Sequence, residues 1–429
     1  MAIADKNKYK HRIIDSVIQD YLEVSGAVCV EGPKWCGKTW TSSYHSASEF
    51  LVGDPVNNFQ NRELAGIHPV GVLEGETPRL IDEWQEVPAI WDAVRSVVDR
   101  RGLKGQFILT GSSTPKRKGV MHSGAGRIAS VRMHTMSLWE SGDSSGNVSL
   151  KDICYGNFSG AVMTGSVSLE KLAYLVVRGG WPGNICASEK NAAKIPESYI
   201  RSLIANDINN LDDSVNYDLH KVELLLRSLA RNESTTVTNA TLANDIRDRD
   251  GETVTTDSIA KYLSALSRMF LLSNQQPFSP NIRSSLRIKQ SEKRHFCDPA
   301  LACAILNLTP EKLINNLETF GFMFEAMVER DLCVYVDSFG GKLYHYQDYK
   351  GNEVDAVIET NDGEWCGIEI KLGANKIEDA ARNLLKVKET IIAQNGKPPK
   401  TLCVICGLSN AAYQRSDGVY VVPITALKN

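Results

Sequence analysis

The chain has 429 residues, of which 42% are hydrophobic and 23% are charged, and its formal net charge is −3. This length predicts two to four domains with cores of their own, and the composition is typical of a globular protein. The slightly acidic balance excludes a protein that coats nucleic acid through bulk positive charge, although a basic patch on one face stays compatible with it.

Membrane and export signals are missing from the sequence pattern. No run approaches the roughly 18 uninterrupted apolar residues of a membrane-spanning helix. The first residues, Met1 to Arg12, are charged and do not resemble an export signal. The 10 cysteines are scattered, several of them in apolar runs, which is typical of buried thiols in a reducing compartment. We therefore expect a cytoplasmic protein with no membrane partner and no disulfide framework.

The first predicted elements are a short helix and a buried strand. Apolar residues at Ile13, Ile14, Val17 and Tyr21 follow helical spacing and predict an amphipathic helix. The run Ala27–Val30 is short, apolar and rich in β-branched residues, so it predicts a strand inside a sheet.

A phosphate-binding loop follows this strand. Residues 32–39 fit the pattern GxxxxGK[ST], in which backbone N–H groups and the positive end of the next helix surround a phosphate. Lys38 is expected to reach the β- and γ-phosphate oxygens, and Thr39 to bind Mg²⁺. The residues expected to contact the nucleotide are Gly32, Pro33, Lys34, Trp35, Cys36, Gly37, Lys38 and Thr39.

Two further strand ends carry polar residues. The run Arg79–Trp84 predicts a strand that ends in two acids. Because ligands of open parallel sheets bind at the carboxyl ends of the strands, we expect Asp82 in the magnesium shell and Glu83 orienting the attacking water. A helix around Trp91 leads to another apolar strand, Phe107–Thr110, after which polar residues would sense the γ-phosphate. We count Thr110 among the catalytic candidates.

This order of phosphate loop, acidic strand end and polar strand end resembles the AAA-type ATPases. The resemblance implies a three-layer α/β core with a parallel sheet over residues 1–138. It also implies ATP and Mg²⁺ as cofactors and a homo-oligomer as the assembly.

Two arginines are candidates for a finger that neutralises charge on the γ-phosphoryl group. In the resembled family this arginine lies in a glycine-bracketed turn after the polar strand, and the corresponding turn here is Gly124–Arg127. Arg127 is therefore the first candidate, with a solvated loop cation as the alternative. Arg178, in an Arg-Gly-Gly-Trp-Pro sequence that recurs in the helical lid of that family, is the second. Arg117 and Arg132 are further cations nearby.

The middle of the chain predicts a lid and a DNA-binding module. Residues 139–215 are interpreted as a connection and a helical lid. The connection covers residues 139–170, and the lid helices follow it. Residues 216–300 hold a short helix, a turn and a longer helix that opens at Thr256, which is helix-turn-helix spacing. A predicted strand, Phe270–Ser273, and the basic stretch Arg283–Arg294 would form a wing. A winged helix with a basic wing suits duplex binding, and the alternative is a protein spacer with solvated charges.

The C-terminal part, residues 301–429, contains a predicted hairpin with charged residues. Two β-like runs flank Asn361-Asp362-Gly363, a strong hairpin signal. Period-2 alternation puts Val354, Ala356 and Ile358 on one face of the first strand, and Asp355 on the other. Glu369 and Lys371 share a face of the partner strand. Such a group supplies oxygen ligands for Mg²⁺ and a cation beside a phosphate, whereas the alternative is an ordinary solvated strand face.

This arrangement resembles the restriction-endonuclease-like superfamily, which has an acid on its second strand and Glu-x-Lys on its third. Glu325, on a preceding helix, would be the additional acid. With the ATPase core, the lid and the winged helix, the chain resembles a prokaryotic ATPase family whose C-terminal half was catalogued as a domain of unknown function. The resemblance implies Mg²⁺-dependent ATP hydrolysis coupled to conformational change on DNA or another nucleic acid. The alternative is a nucleotide-dependent switch whose C-terminal half is a protein-binding scaffold without nuclease activity.

Overall fold

The computed structural model describes residues 6–56, 59–113, 122–211, 216–280 and 291–429. The chain divides into two compact units. The first unit contains Met1–Thr135 and two later segments, Ile208–Asn216 and Ala265–Leu271. The second unit contains Met136–Asp207, Tyr217–Ser264 and Leu272–Asn429. The ATPase-like sequence motifs therefore fall in the first unit and the predicted C-terminal hairpin falls in the second.

The first unit is built on a parallel sheet. Its elements up to residue 132 are α1 (Ile14–Val24), β1 (Ala27–Glu31), α2 (Lys38–Tyr44), β2 (Ser48–Leu51), α3 (Gln60–Ile67), β3 (Arg79–Asp82), α4 (Ala89–Arg101), β4 (Phe107–Gly111) and β5 (Ile128–Arg132). The strands run parallel in the order β2-β3-β4-β1-β5. The predicted opening helix, buried strand, acidic strand and polar strand are all confirmed.

Alternating residues of β1 form two separate cores. Ala27 and Cys29 pack in a buried cluster with Val94 of α4, on one face of the sheet. Val28 packs on the opposite face in a cluster with Ile18 of α1. Helices therefore cover both faces, because each face of a buried strand presents apolar side chains. The predicted three-layer α/β core is confirmed.

The middle of the chain is largely helical. In chain order it contains α5 (Leu138–Ser141), β6 (Val148–Ser149), α6 (Leu150–Tyr155), β7 (Ala161–Met163), α7 (Leu169–Arg178), α8 (Lys194–Ser202), α9 (Ile208–Asn210), α10 (Leu219–Arg231), α11 (Asn239–Asp250) and α12 (Thr256–Arg268). Residues 139–170 are not merely connections. Strand β7 pairs antiparallel with Ala411–Gln414, near the end of the chain. A strand of three residues shows too little alternation for the sequence to reveal it.

The two helices predicted on either side of a turn are present as α11 and α12, whereas the strand predicted for the wing is not; the winged helix itself stays a prediction. Gly251, with φ of 73°, ends α11 in the left-handed conformation and starts the turn toward α12. In place of the predicted strand Phe270–Ser273, the structure has an isolated antiparallel bridge between Leu272 and Phe296. The wing cations Arg283, Arg287 and Lys289 lie outside the described residues.

The last part of the chain folds onto a mixed sheet. Its elements are β8 (Gln276–Pro277), α13 (Pro299–Ile305), α14 (Pro310–Ile314), α15 (Leu317–Ser338), β9 (Lys342–Gln347), β10 (Glu353–Glu359), β11 (Trp365–Lys371), α16 (Ile377–Ala393), β12 (Thr401–Cys406), β13 (Ala411–Gln414), β14 (Tyr420–Pro423) and β15 (Leu427–Lys428). Its strand order is β7-β13-β14-β12-β11-β10-β9-β8. Among the residues that the structure describes, no helix combines the length and apolar character needed to cross a bilayer.

Strands β10 and β11 form the predicted hairpin, with one departure in register. They pair antiparallel from Ala356 opposite Ile368 to Glu359 opposite Trp365. The pairing of β10 with β9 shifts between Val354 and Val357, as in a β-bulge. As a result Val354 and Val357 pack in one cluster, although strict alternation predicted opposite faces. The extra residue of a bulge changes the face of every side chain on one side of it.

Candidate functional site

Two glycines shape the phosphate loop between β1 and α2. Gly37 immediately precedes α2 and has φ of 108°. Residues with a Cβ atom rarely adopt this backbone conformation. A Cβ atom on Gly32 would lie 2.2 Å from the Met133 carbonyl oxygen. Both positions therefore require glycine, one for its dihedral angle and the other for a close backbone approach.

The lysine of the loop is turned toward the loop itself. Lys38 Nζ donates hydrogen bonds to the carbonyl oxygens of Gly32, at 3.0 Å, and Pro33, at 2.8 Å. The side chain is buried, so its ammonium group is ready to exchange these carbonyls for phosphate oxygens. Trp35 is 54% exposed, and nucleotide contacts of Pro33, Lys34 and Trp35 stay predictions.

The two predicted magnesium ligands of the nucleotide site contact each other. The Thr39 hydroxyl donates to Asp82 Oδ1 over 3.0 Å, and the Thr110 hydroxyl donates to the same oxygen over 2.6 Å. Burial, and then the charge of Glu83, raises the pKa of the Asp82 carboxyl, while the Thr110 hydrogen bond opposes that rise. A divalent cation would relieve this cost, so an alcohol and a carboxylate in contact fit Mg²⁺.

Glu83 follows β3 and is held by polar neighbours. Its backbone is left-handed, with φ of 55°, and its N–H donates to the Thr110 hydroxyl over 2.9 Å. Its carboxylate accepts hydrogen bonds from Ser112, at 2.9 Å, and from Gln85. Thr110 thus contacts both acidic residues, and its part in catalysis stays a prediction. Gln85 carried no sequence signal except its place two residues after Glu83.

Arg127 lies at the amino ends of the parallel strands, whereas the phosphate loop lies at their carboxyl ends. It immediately precedes β5, whose first residue pairs with Ala27, whereas the loop follows Glu31 at the other end of β1. Five paired residues at about 3.3 Å each separate the two positions by roughly 15 Å. The half-exposed Arg127 side chain donates to Asp99 over 2.8 Å. Arg127 is therefore too far away to contact a nucleotide in its own loop.

The second candidate finger, Arg178, already has a partner. Its side chain is only 2% exposed and forms an ion pair with Asp143 at 2.6 Å inside the second unit. This pair disfavours the role of finger, because a buried guanidinium is costly to separate from its carboxylate; the role stays a prediction. Arg117 lies outside the described residues.

A group of charged side chains forms on β10 and β11, as predicted. Lys371 Nζ lies 2.8 Å from Asp355 Oδ2 and 2.6 Å from Glu369 Oε2. Asn383 of α16 donates to Glu369 Oε1 over 2.8 Å. Burial, and then the Asp355 charge, raises the pKa of Glu369 to about 8. Burial opposes ionisation of Asp355 as well, but the ammonium groups of Lys371 and Lys293 outweigh it and lower the pKa of Asp355.

Glu325 is linked to these acids through a shared lysine. Its carboxylate forms an ion pair with Lys293, whose Nζ also lies 3.1 Å from Glu329 Oε1 and 3.1 Å from the Asp355 carbonyl oxygen. Lys293 is therefore buried rather than presented on a wing, because the buried Glu329 carboxylate requires a counter-charge. Arg294 is mostly buried too and donates to Glu292 over 3.2 Å. Neither cation is exposed for DNA.

The metal-binding capacity of this centre rests on two carboxylates. No set of three or more His, Cys, Asp or Glu side chains is arranged to hold a metal in the described part of the chain. Mg²⁺ commonly takes only one or two protein carboxylates and keeps several waters. Asp355 and Glu369 fit that requirement if Lys371, whose side chain is 29% exposed, turns outward. Metal binding here stays a prediction, and so does a supporting role for Glu325.

Three parts of the chain match known families. Residues 24–141 match an AAA domain, residues 169–312 a domain of unknown function (DUF8612), and residues 320–427 a second domain of unknown function (DUF4143). With the phosphate loop and the parallel sheet, these matches define the class of protein as P-loop α/β. The chain therefore combines a match to an AAA domain with matches to two domains of unknown function, an arrangement similar to that of AAA-type ATPases with further domains after the ATPase core.

Two mycobacterial proteins are similar over most of the chain. They are the uncharacterized protein Rv2008c of Mycobacterium tuberculosis and the uncharacterized protein Mb2031c of Mycobacterium bovis. Each is 24% identical over 355 residues, which cover 82% of this chain and 71% of the relative.

Three solved structures are similar at low sequence identity. The Walker-type ATPase PABY2304 of Pyrococcus abyssi is 13% identical, with a TM-score of 0.44 over 70% of this chain and 97% of that one. The replication initiator DnaA bound to AMPPCP and single-stranded DNA is 10% identical, with a TM-score of 0.28 over 62% and 90%. The Aeropyrum pernix ORC1 protein in complex with DNA is 12% identical, with a TM-score of 0.27 over 74% and 97%.

Proposed function

We propose that this protein binds ATP together with Mg²⁺ and hydrolyses it. The observation that carries the proposal is the convergence of Lys38, Thr39, Asp82 and Glu83 at the carboxyl edge of one parallel sheet. Phosphoryl transfer asks little covalent chemistry of a protein, so positioned charges and a positioned water account for most of the catalysis. These four residues supply both.

Each residue has one task in this reaction. Lys38 exchanges the Gly32 and Pro33 carbonyls for phosphate oxygens and neutralises charge on them. Thr39 and Asp82 would hold the Mg²⁺ of the nucleotide, which neutralises charge that develops on the phosphates. Glu83 accepts a hydrogen bond from the attacking water and orients it. Thr110 keeps Asp82 and the Glu83 backbone in register, since its hydroxyl contacts both.

The active assembly is a homo-oligomer in which Arg127 acts on the nucleotide of a neighbouring subunit. Two observations support this step. Arg127 is roughly 15 Å from its own phosphate loop along β1, and its side chain is 47% exposed beside Asp99. An arginine supplied from another subunit would stabilise transition-state charge only where two subunits meet, so hydrolysis depends on assembly.

Lys38→Ala tests nucleotide binding. The variant keeps the N–H groups of the loop but lacks the cation, so its affinity for ATP is expected to fall about 100-fold or more by calorimetry. The matched control is Lys104→Ala, which removes an exposed lysine of the same unit and should bind ATP as the wild type does. Unchanged ATP affinity in Lys38→Ala would contradict the proposed site.

The second candidate function is divalent-metal binding at Asp355 and Glu369, with nucleic acid as the substrate. Its support is the contact of both carboxylates with one lysine on adjacent strands, together with the raised pKa of Glu369. Burial is the main cause of that raised pKa and the Asp355 charge the next, and a divalent cation would offset both. Lys371 would then be free to contact a phosphate.

Calorimetric titration of nucleotide-free protein with Mn²⁺ tests this candidate. Wild type is expected to bind one ion per chain at this centre, and Asp355→Ala to lose it. Glu353→Gln, an exposed acid on the same strand, is the control that should retain it. Absence of metal uptake, with no salt-dependent binding of single- or double-stranded DNA or RNA, would favour the alternative of a protein-binding scaffold.

A further inference from the structure

Arg12 contacts the phosphate loop from the segment that precedes α1. The residue is 7% exposed. One terminal nitrogen of its guanidinium donates to the Cys36 carbonyl oxygen over 2.9 Å, and the other donates to the His134 carbonyl oxygen over 2.9 Å. A planar guanidinium with two donors held by two backbone carbonyls fixes the relative position of those peptides.

We propose that Arg12 is a positioning residue that aims a backbone N–H of the phosphate loop at the nucleotide. A trans peptide is planar, so the C=O of Cys36 and the N–H of Gly37 point in opposite directions. Arg12 holds this C=O toward its own guanidinium, so the Gly37 N–H points away from Arg12. In the proposal, that N–H is one of the loop donors that would meet a phosphate. The inference rests on the proposed binding of ATP.

The second acceptor connects this loop to the strand β5 and the chain beyond it. The Met133 N–H donates to Glu31 over 2.7 Å, and its carbonyl oxygen is the atom that a Cβ on Gly32 would meet at 2.2 Å. Cys36 Sγ lies 3.7 Å from the same oxygen. Residues 133–134 are therefore in direct contact with the loop, and they come just before Thr135, where the chain leaves the first unit. Arg12 thus bridges the loop and that segment.

The segment that carries Arg12 has a separate anchor, which makes a clean control possible. The Tyr9 hydroxyl lies 2.7 Å from Asp15 Oδ1 and 2.9 Å from Thr41 Oγ1, and its ring stacks on Tyr44 at 4.3 Å between centroids. Tyr9→Phe removes the hydroxyl contacts and leaves the guanidinium on its carbonyls. Tyr9→Phe should therefore weaken the attachment of the segment while the hydrogen bond from Arg12 to the Cys36 carbonyl is kept.

The test measures binding of ATP and of inorganic tripolyphosphate by calorimetry in Arg12→Gln, Tyr9→Phe and wild type. Arg12→Gln should bind both ligands about tenfold more weakly, since one hydrogen bond to a charged group is worth about a factor of ten. Equal losses for both ligands indicate a phosphate contact, because tripolyphosphate has no nucleoside. Tyr9→Phe should bind both as the wild type does.

Two results would overturn the inference: a folded Arg12→Gln with wild-type affinities, or an equal loss in Tyr9→Phe. If Arg12→Gln does not fold, Arg12→Lys keeps the buried charge and should weaken both ligands in parallel; wild-type affinities in that variant also overturn it. Failure of the proposed function is distinct, since ATP binding would then be missing in wild type or unchanged in Lys38→Ala.

Discussion

The Thr39 hydroxyl and the Asp82 carboxylate are joined by a hydrogen bond of 3.0 Å. Thr39 belongs to the helix that follows β1, and Asp82 ends β3, so the bond passes over the carboxyl end of the intervening strand β4. Thr110 at that end contributes a second hydrogen bond to the same carboxylate oxygen. The two proposed magnesium ligands are thus brought together by the fold itself.

Asp82→Asn is expected to raise the Mg²⁺ concentration needed for half-maximal ATP hydrolysis about tenfold or more. The amide can still accept the Thr39 and Thr110 hydrogen bonds, but it lacks the negative charge that a hard cation prefers. Titration of Mg²⁺ at saturating ATP measures the effect. Asp20→Asn, which changes an exposed acid of α1, should leave the titration unchanged. The same Mg²⁺ dependence in Asp82→Asn and wild type would speak against the assignment.

Ser112→Ala is expected to lower kcat several-fold while KM for ATP stays close to wild type. The hydroxyl donates to the Glu83 carboxylate at 2.9 Å and accepts from the Gln85 amide at 3.3 Å. Its loss should therefore misplace the water-orienting group without weakening nucleotide binding. Ser130→Ala on the exposed side of β5 is the control. An increase in KM with unchanged kcat would instead indicate direct contact with ATP.

Arg127→Ala mixed with Lys38→Ala should recover part of the hydrolysis that neither protein shows alone. In mixed oligomers some interfaces combine an intact phosphate loop with an intact arginine, as a role between subunits requires. The mixture is assayed at constant total protein after mixed assembly is confirmed by mass spectrometry. Arg100→Ala, which removes another exposed arginine of the first unit, should hydrolyse ATP without complementation. No recovery in a confirmed mixed oligomer would reject this role.

Glu369→Gln is expected to change how stability depends on pH. The pKa of Glu369 is about 8 in the folded protein, against an ordinary value of 4.5. Between these values the folded state holds more protons than the unfolded state, so ionisation of Glu369 lowers the free energy of unfolding as pH rises. The stability of Glu369→Gln relative to wild type should therefore increase from about pH 5 to about pH 8. Thermal unfolding at several pH values measures this, and a constant difference would contradict the assignment.

The nucleotide half of the molecule could be predicted because its chemistry is local in sequence. A glycine-rich loop between a strand and a helix needs only residues 27–44 to be recognised, and parallel strands bring their carboxyl ends to one edge. Asp82 therefore contacts Thr39 as expected, and Thr110 donates to the same carboxylate oxygen. The hydrogen bonds of Glu83 with Gln85 and Ser112 required the left-handed backbone at Glu83, which no propensity would favour for this residue type.

The C-terminal half was harder, since its contacts join distant parts of the chain. The sequence predicted Lys293 to be a cation of the wing. The fold instead brings Lys293 to Glu325 and Glu329 of α15, because buried carboxylates need a counter-charge. The sequence pattern indicated Arg178 as a candidate finger, whereas in the structure its buried guanidinium pairs with Asp143. The contacts of Arg12 could not be predicted, because its acceptors are backbone carbonyls and the sequence does not show where a carbonyl points.

Single-turnover hydrolysis of ATP by Glu83→Gln tests the central claim most directly. The glutamine keeps the shape of the side chain but cannot take up a proton or polarise water as a carboxylate does, so hydrolysis should slow about 100-fold or more. Equilibrium binding of ATP should remain within a few-fold of wild type, since phosphates contact the loop and not Glu83. Glu86→Gln, at an exposed position three residues on, should behave as wild type. Wild-type hydrolysis by Glu83→Gln, with ATP bound normally, would contradict the proposed catalytic site.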